Sequence, residues 1–523
     1  MKGGKGEDKV IRVGIEYPAG GKDPLLKQIN QQQPLSAFIH EICLEWSLED
    51  YEKYSLKISA TCSLTGKDLF VTEASRVQVK NGDILKLYPS PPIEAQNILD
   101  KLNNPEGNSE GELQALKKLA DISDDVAFAQ EFIHKQGPAL IIFTIEEGRY
   151  TNGKLALALD SFVNLMSHGI LSWEILDKGF INKIVHNINN HGQKQRDSKE
   201  PRTSINSGKI LPNLSSREDS STSILQSSFI ILEGLVTNSG VKGQLVNNAT
   251  TIPNLIFHLV SPPEVQTYVL ALINALLLKA DPTKLKCMID TLTSPQYRNI
   301  IVKNIIQDST DLEPEMRHQL YVMQTLMLNQ MAERMNTRRN PEDKDAIQKI
   351  KDLCQAAFDT DEIRDNTPRR QDYKKLGFKN TIDPSSDFNE IPPGMLALDN
   401  MIYFSTSDVE RYTKLVLENS CRGDQHECPF AKASIELTTL LIDIFKIGEP
   451  PMENRNKYYP MLFTHDQAFK ELFNICIVLV NKTWKEMKAT TEDFAKVFSV
   501  VREQIERSLE WMPVSLETFK VSI

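Results

Sequence analysis

The sequence predicts a multidomain, mainly α-helical protein. A small α+β unit comes first, a long helical-repeat region follows, and an all-α domain closes the chain. Three observations predict this. Apolar residues alternate with period 2 only between residue 9 and about residue 90. Helical periodicity then runs almost unbroken to the C-terminal end. Within it, Asp372 to Phe404 (DYKKLGFKNTIDPSSDFNEIPPGMLALDNMIYF) crowds Gly and Pro at short intervals before an apolar helix. Pro fixes φ and Gly permits positive φ, so this run reads as a long ordered loop, a feature more often functional than decorative.

A chain of 523 residues holds about two to four domains. Apolar residues at 40% and charged residues at 25% are ordinary for a soluble folded protein. With 60 basic and 70 acidic side chains the net charge is −10, which disfavours bulk binding to DNA or anionic membranes. No nucleic acid partner is expected. Met1 to Lys9 has no apolar run behind it, so no signal peptide is expected, and Lys2 stands where N-myristoylation would need Gly. The longest apolar run, Tyr268 to Leu278, is too short to span a bilayer and contains Asn274, so it reads as a core helix. Seven widely spread cysteines (43, 62, 287, 354, 421, 428, 476) suit a reducing cytosol, most of them as buried thiols.

Taken in order, Ile11, Val13, Ile15 and Tyr17 alternate as a half-buried strand, Gly20-Gly21 turns, and Leu25 to Ile29 forms a second strand. Pro34 opens a helix with Leu35, Ile39, Ile42 and Trp46 on one face. Tyr54, Leu56 and Ile58 alternate again, Leu69 to Val71 is a short strand, and Asn81-Gly82 turns into Ile84, Leu85 and Leu87. The order ββαβ(β)β is that of a ubiquitin-like β-grasp fold, which leaves an edge strand open to a partner strand. Pro89 to Pro92 (PSPP) reads as a stiff hinge.

Helices are then predicted at 93–103, 111–121, 124–135, 154–168, 172–190, 223–238, 263–279, 282–293 and 296–308. Short helices ending at Gly, such as the one before Gly137, resemble armadillo-type repeats. His191 to Thr222 is polar and reads as a flexible loop with room for a phosphorylation site. Pro314 starts a helix carrying Met316, Leu320, Met323 and Met327, and helical signal continues over 342–358. A charged linker at 359–371 precedes the Gly/Pro-rich stretch, and helices follow at 395–404, 407–419, 432–446, 466–486 and 492–510. The last opens on a capping box, Thr490 to Asp493.

Chemical motifs are sparse. Cys421, His426 and Cys428 lack a second ligand pair at metal spacing and read as packing residues, so no metal site is expected. No Walker-type loop or GxSxG elbow occurs. Glu146-Glu147 and Asp124-Asp125 read as solvated faces or helix ends. Pro368-Arg369-Arg370 with Lys374-Lys375 reads as solvated linker charge.

The stretch Asp372 to Phe404 resembles the signature of the ELMO (engulfment and cell motility) domain. Matching segments follow in Glu418-Asn419-Ser420, His426 to Phe430, Ile435 to Thr438, Phe463-Thr464-His465-Asp466 and Asn481 to Met487. The order of segments upstream also resembles the ELMO scaffold proteins, so the likeness covers nearly the whole chain. It implies a ubiquitin-like GTPase-binding domain at 1–92, an armadillo-like helical domain at 93–312 with its loop at 191–222, and an ELMO domain at 313–495. It further implies that 496–523 leads toward a pleckstrin-homology domain and a Pro-rich tail, which this sequence, ending at Ile523, does not include.

The resemblance also implies a function. The protein would be a cytoplasmic scaffold, recruited to the plasma membrane, that joins a DOCK-family exchange factor to promote Rac activation, actin remodelling, engulfment and migration. Its partners would be the exchange factor, an active Rho-family GTPase on the N-terminal module, and the tail of an adhesion receptor docking on the solenoid and the ELMO domain, with residues 96–312 exposing a groove for an amphipathic helix. Leu25, Lys27 and Ile29 on the second strand, with Leu48 beyond the helix, are the expected GTPase contacts, Lys27 meeting acidic switch residues. No catalytic residue and no cofactor is expected. The alternative is a GTPase-activating protein for Arf-like GTPases, the activity of smaller ELMO-domain relatives. In those an Arg follows the Asp-Phe pair. Here the frame Gly377, Phe378, Asp387, Phe388 and Gly394 is present, but Asn389 follows Phe388.

Overall fold

The computed structural model describes residues 10–17, 23–63, 66–103, 109–198, 214–307, 311–358, 368, 370–422 and 426–523. It divides into two compact units, Met1–Thr250 and Thr251–Ile523.

The first unit begins with five strands: β1 (Val10–Glu16), β2 (Leu25–Asn30), β3 (Tyr54–Ile58), β4 (Leu69–Phe70) and β5 (Ile84–Pro89). They form one sheet in the order β2-β1-β5-β3-β4. β1 runs antiparallel to β2 and parallel to β5, the β-grasp arrangement. Ile11, Val13 and Ile15 are buried while Val10 and Arg12 are exposed, as alternation along a pleated strand requires. Helix α1 (Leu35–Glu45) lays Leu35, Phe38, Ile39 and Ile42 against that buried face. The Asn81-Gly82 turn holds because Gly82 takes φ +95° and the Asn81 side-chain oxygen Oδ1 accepts the Arg12 N–H at 2.8 Å.

The expected hinge is absent. β5 ends at Pro89 and helix α2 (Pro91–Asn103) starts two residues later. A proline in the first helical turn forfeits no intrahelical bond and already has helical φ, so Pro91 and Pro92 start a helix here. Buried Ser90 donates its N–H to the Lys53 carbonyl at 2.7 Å, which fixes the junction.

α2, α3 (Ser109–Ile122) and α4 (Val126–His134) then meet the β3–β4–β5 end of the sheet through a polar cluster. The Lys57 ammonium, buried, lies 4.3 Å from the Phe70 ring centre and 4.1 Å from that of Tyr88. Burial pushes its pKa down, opposed by Asp125, Asp68 and Glu94. Buried Glu94 pairs with Lys118 at 2.5 Å. Asp125 caps α4 through the N–H groups of Ala127 and Phe128, and its other oxygen accepts the N–H of Phe70 at 2.8 Å. The β4 edge is thereby covered, and β2 remains as the open edge of the sheet. Asp125→Ala is expected to cost about 2–4 kcal/mol, a lost cap plus an unsatisfied buried donor. The measurement is hydrogen exchange at Phe70 and at 126–128 with the Tm. Unchanged protection at Phe70 would show that the bond carries no weight.

Helical packing continues with 152–167 lying against 109–122 and against 214–238. Three short helices escape the sequence pattern: Gly137–Glu146, Gly240–Ala249 and Ile252–Ile256. Gly137 was expected to end a helix, yet it begins one. The break falls at Gln136, which adopts φ +61°, and a Cβ at residue 137 would lie 2.3 Å from the Phe132 ring. The expected loop at His191 to Thr222 is also shorter than its composition suggests. Helices occupy Lys178–Ser198 and Leu214–Asn238, and 199–213 lies outside the described residues, as does any phosphorylation site within it. Each flank extends a well-buried helix, which offsets the poor local apolar content.

In the second unit, Pro263–Lys279 packs on Pro314–Leu328, with Asn274 donating to the Gln319 backbone carbonyl and side-chain oxygen. Among the described residues no helix is long and apolar enough to cross a membrane. One core then unites helices Lys344–Phe358, Met395–Ser407, Val409–Ser420, Phe430–Phe445, Ala468–Glu486 and Phe494–Glu510. Thr490 and Asp493 form the capping box that starts the last of these. Val497, Val501, Ile505, Leu509 and Phe519 all belong to that core. The apolar stripe of Phe494–Glu510 and Phe519 of the following helix Leu516–Ser522 thus pack into the same core as the preceding helices.

Candidate functional site

The first candidate surface is the open strand β2. Its side chains alternate, Leu25, Lys27 and Ile29 turning toward α1 and Leu26 and Gln28 turning outward. Ile29 is buried, and Leu25 and Leu48 pack half-buried against the core of the module. The Leu48 N–H also donates to the Cys43 carbonyl at 2.8 Å. Lys27 is held by Glu41 at 3.0 Å and by Glu45, both on α1, and its side chain is only 15% exposed. The hydrogen bond with Glu45 is the main cause of its raised pKa. The four expected GTPase contacts thus face inward, with Lys27 already neutralised. What the edge offers is backbone, Leu26 at 78% exposure, and Leu44 on α1 at 64%. Sequence reasoning missed both leucines. The signal available was period: Leu26 is out of phase with Ile29, and Leu44 is off the Leu35–Ile39–Ile42 stripe.

The second candidate is the Gly/Pro-rich stretch. It is not loop throughout, since Arg370–Leu376 forms a short helix that carries Arg370, Lys374 and Lys375, while Arg369 lies outside the described residues. Gly377 ends that helix at φ +90°. Its N–H donates to the Lys374 carbonyl and that of Phe378 to the Tyr373 carbonyl, a Schellman motif. The next turn is organised by Asp387, whose carboxylate accepts the N–H of Lys379 at 2.7 Å and of Asn380 at 3.2 Å. Burial pushes the Asp387 pKa up, while those two N–H groups pull the other way. Phe388 is buried edge-on to Phe378. Arg339 holds Ser385 and Asp383. Asn389 follows at the end of the 3-10 turn Pro384–Phe388 and is exposed. Gly394, at φ +52°, passes so close to 335–337 that a Cβ would lie 2.5 Å from the Thr337 carbonyl oxygen.

The loop's polar groups are therefore spent on holding its own backbone, and the one exposed position of the motif carries an amide. Nearby, a cleft of about 250 Å³ is lined by Arg334, Leu396, Asp399, Phe463, His465 and Asp466, among others. Arg334 grips Asp399 through two bonds of 2.6 and 2.8 Å, so this pair is a fixed wall.

Cys421, His426 and Cys428 are not arranged as ligands. Cys421 is exposed, Cys428 is buried with its thiol pushed up to about 12, and His426 Nδ1 is bonded to the Ala489 carbonyl at 3.0 Å. Among the described residues no cluster of side chains is placed to hold a metal ion.

A β-grasp module with one open edge, helical repeats, and an all-α domain built on an ordered loop define a multidomain, mainly helical protein. Comparison with known families makes this particular. Residues 9–90 match the ELMO protein N-terminal Ras-binding domain, residues 127–206 and 208–306 the ELMO armadillo-like helical domain, and residues 329–498 the ELMO/CED-12 family. Human engulfment and cell motility protein 2 is 41% identical over 526 residues, 98% of this chain and 68% of that protein. Human engulfment and cell motility protein 1 is 41% identical over 533 residues with the same coverage, and human protein 3 is 38% identical over 512 residues, 96% of this chain and 66% of its own. The chain belongs to the ELMO/CED-12 family of engulfment and cell motility proteins.

Proposed function

We propose that this protein is a non-catalytic scaffold. It would act as the regulatory subunit of a DOCK-type Rac exchange complex, linking an active Rho-family GTPase and adhesion-receptor tails to Rac activation, actin remodelling, engulfment and migration. The division of labour follows the expected domains: GTPase at 1–92, receptor tail on 93–312, and the 313–495 domain held for shape and partner contacts. The protein works in the cytoplasm and reaches the plasma membrane through its partners.

The observation that carries this reading is the open β2 edge on a module that matches a Ras-binding domain. An extended switch segment can add to such an edge as a further strand, backbone pairing giving affinity and flanking side chains specificity. The test is capture of Rho-family GTPases, loaded with GDP or a GTP analogue, by wild type and by Leu26→Asp. Binding to the GTP-analogue form alone, lost in Leu26→Asp, is expected. Equal capture of both forms, or full retention in the variant, would move the interface elsewhere.

A further inference from the structure

The charge on the β2–α1 face has the opposite sign to that expected from the strand alone. Lys27 is drawn inward, while the side chains of Glu41 and Glu45 remain 61% and 42% exposed. Past the helix, Glu49, Asp50 and Glu52 are exposed as well. Five carboxylates between Glu41 and Glu52 thus face two lysines, Lys27 and Lys53, and both lysines are already ion-paired. Exposed Leu44 lies on the same helix as this pair of glutamates, three residues after Glu41 and one before Glu45.

The local rules do not favour this arrangement. The C-terminal turn of a helix carries partial negative charge and prefers Lys, Arg or His, yet the last turn of α1 holds no basic residue and ends on Glu45. Carboxylates kept against the helix dipole, flanking the exposed Leu44, form a surface that a cationic partner would complement.

We propose that α1, beside the open β2 edge, presents an acidic face centred on Leu44 that docks on a basic surface of the GTPase, with Lys27 acting as an internal clamp that positions Glu41 and Glu45. This rests on the reading of the module as GTPase-binding, and it assigns the electrostatic sense of that contact. The partner would bring Lys or Arg beside the strand it adds to β2. Leu44 would bury against its apolar surface, and the glutamates would supply steering at the rim.

The experiment measures binding of the full chain to a GTP-analogue-loaded Rho-family GTPase at low and high salt. The variants are Glu41→Gln/Glu45→Gln and Lys27→Met, each checked for folding by circular dichroism. The double glutamine variant is expected to bind about five-fold more weakly at low salt, mainly through a slower on-rate, and to lose most of the salt dependence. Lys27→Met removes the clamp but leaves both carboxylates, so it is expected to keep the salt dependence and to weaken binding less than the double glutamine variant does. Tighter binding by the double glutamine variant, or abolition of binding by Lys27→Met in a folded protein, would overturn the assignment and restore Lys27 as the contact. Failure of wild type to bind any such GTPase would overturn the GTPase reading itself and this inference with it.

Discussion

Gly377→Ala is expected to destabilise the C-terminal domain by about 3–5 kcal/mol, among the largest effects of any single methyl group in this protein. Two costs combine. At φ +90° an alanine is strained before it meets any neighbour. Its Cβ would then lie 2.6 Å from the Cα and carbonyl carbon of Pro429 and 2.7 Å from the Phe430 nitrogen. These are backbone atoms at the start of helix Phe430–Phe445, where Phe430 and Ala431 are buried, so neither side can give way. Gly82→Ala is the control. Its φ is +95° but nothing lies within 4 Å of the added carbon, so only the backbone strain remains, about 1 kcal/mol. Thermal melts with hydrogen exchange over 370–378 and 428–434 separate the two. If both variants melt alike, the close approach of Gly377 to Pro429 is not a constraint in solution.

The second large effect is the absence of one. Wild type is expected not to accelerate GTP hydrolysis by Arf-like or Rho-family GTPases. A GTPase-activating Arg sets a delocalised cation against charge developing on the transferring phosphoryl group, worth about 10³–10⁵ in rate. Asn389 can donate a hydrogen bond but carries no charge and reaches less far. Its surroundings are a rigid mount: Phe388 is buried, Asp387 is bonded to two loop N–H groups, and residue 389 projects at the end of the turn. Asn389→Arg should therefore place a guanidinium at a fixed, exposed point, and a gain of hydrolysis in that variant alone would locate the missing chemistry at this position. Single-turnover hydrolysis is the assay, with Arg369→Ala/Arg370→Ala as the check on the neighbouring cations. Strong acceleration by wild type would overturn the scaffold reading in favour of the activating enzyme.

The elements of this protein were written in its local periods. Ile11, Val13 and Ile15 alternate and form β1, and Phe494, Val497, Val501 and Ile505 recur at helical spacing and form a helix. Such patterns need only the pleat of a strand and the turn of a helix, which are properties of neighbouring residues. Gly377, Asp387 and Gly394 were likewise legible as a rigid loop. The reason each is needed, however, lies in segments distant in sequence: Pro429 beside Gly377 and Thr337 beside Gly394.

Charge and burial at β2 were decided by the tertiary fold alone. In Leu25 to Asn30 both phases contain apolar residues, so period could not say which face meets α1. Lys27 reads as a free cation until Glu41 and Glu45, 14 and 18 residues away, are brought against it by the packing of α1 on the sheet. The same holds for PSPP, a hinge by composition but a helix start by context. Asp125, 55 residues from Phe70, closes one edge of the sheet and leaves β2 as the other. Local sequence sets which residues can turn inward; only non-local packing sets what they meet there, and here it draws Lys27 in and leaves Glu41 and Glu45 exposed.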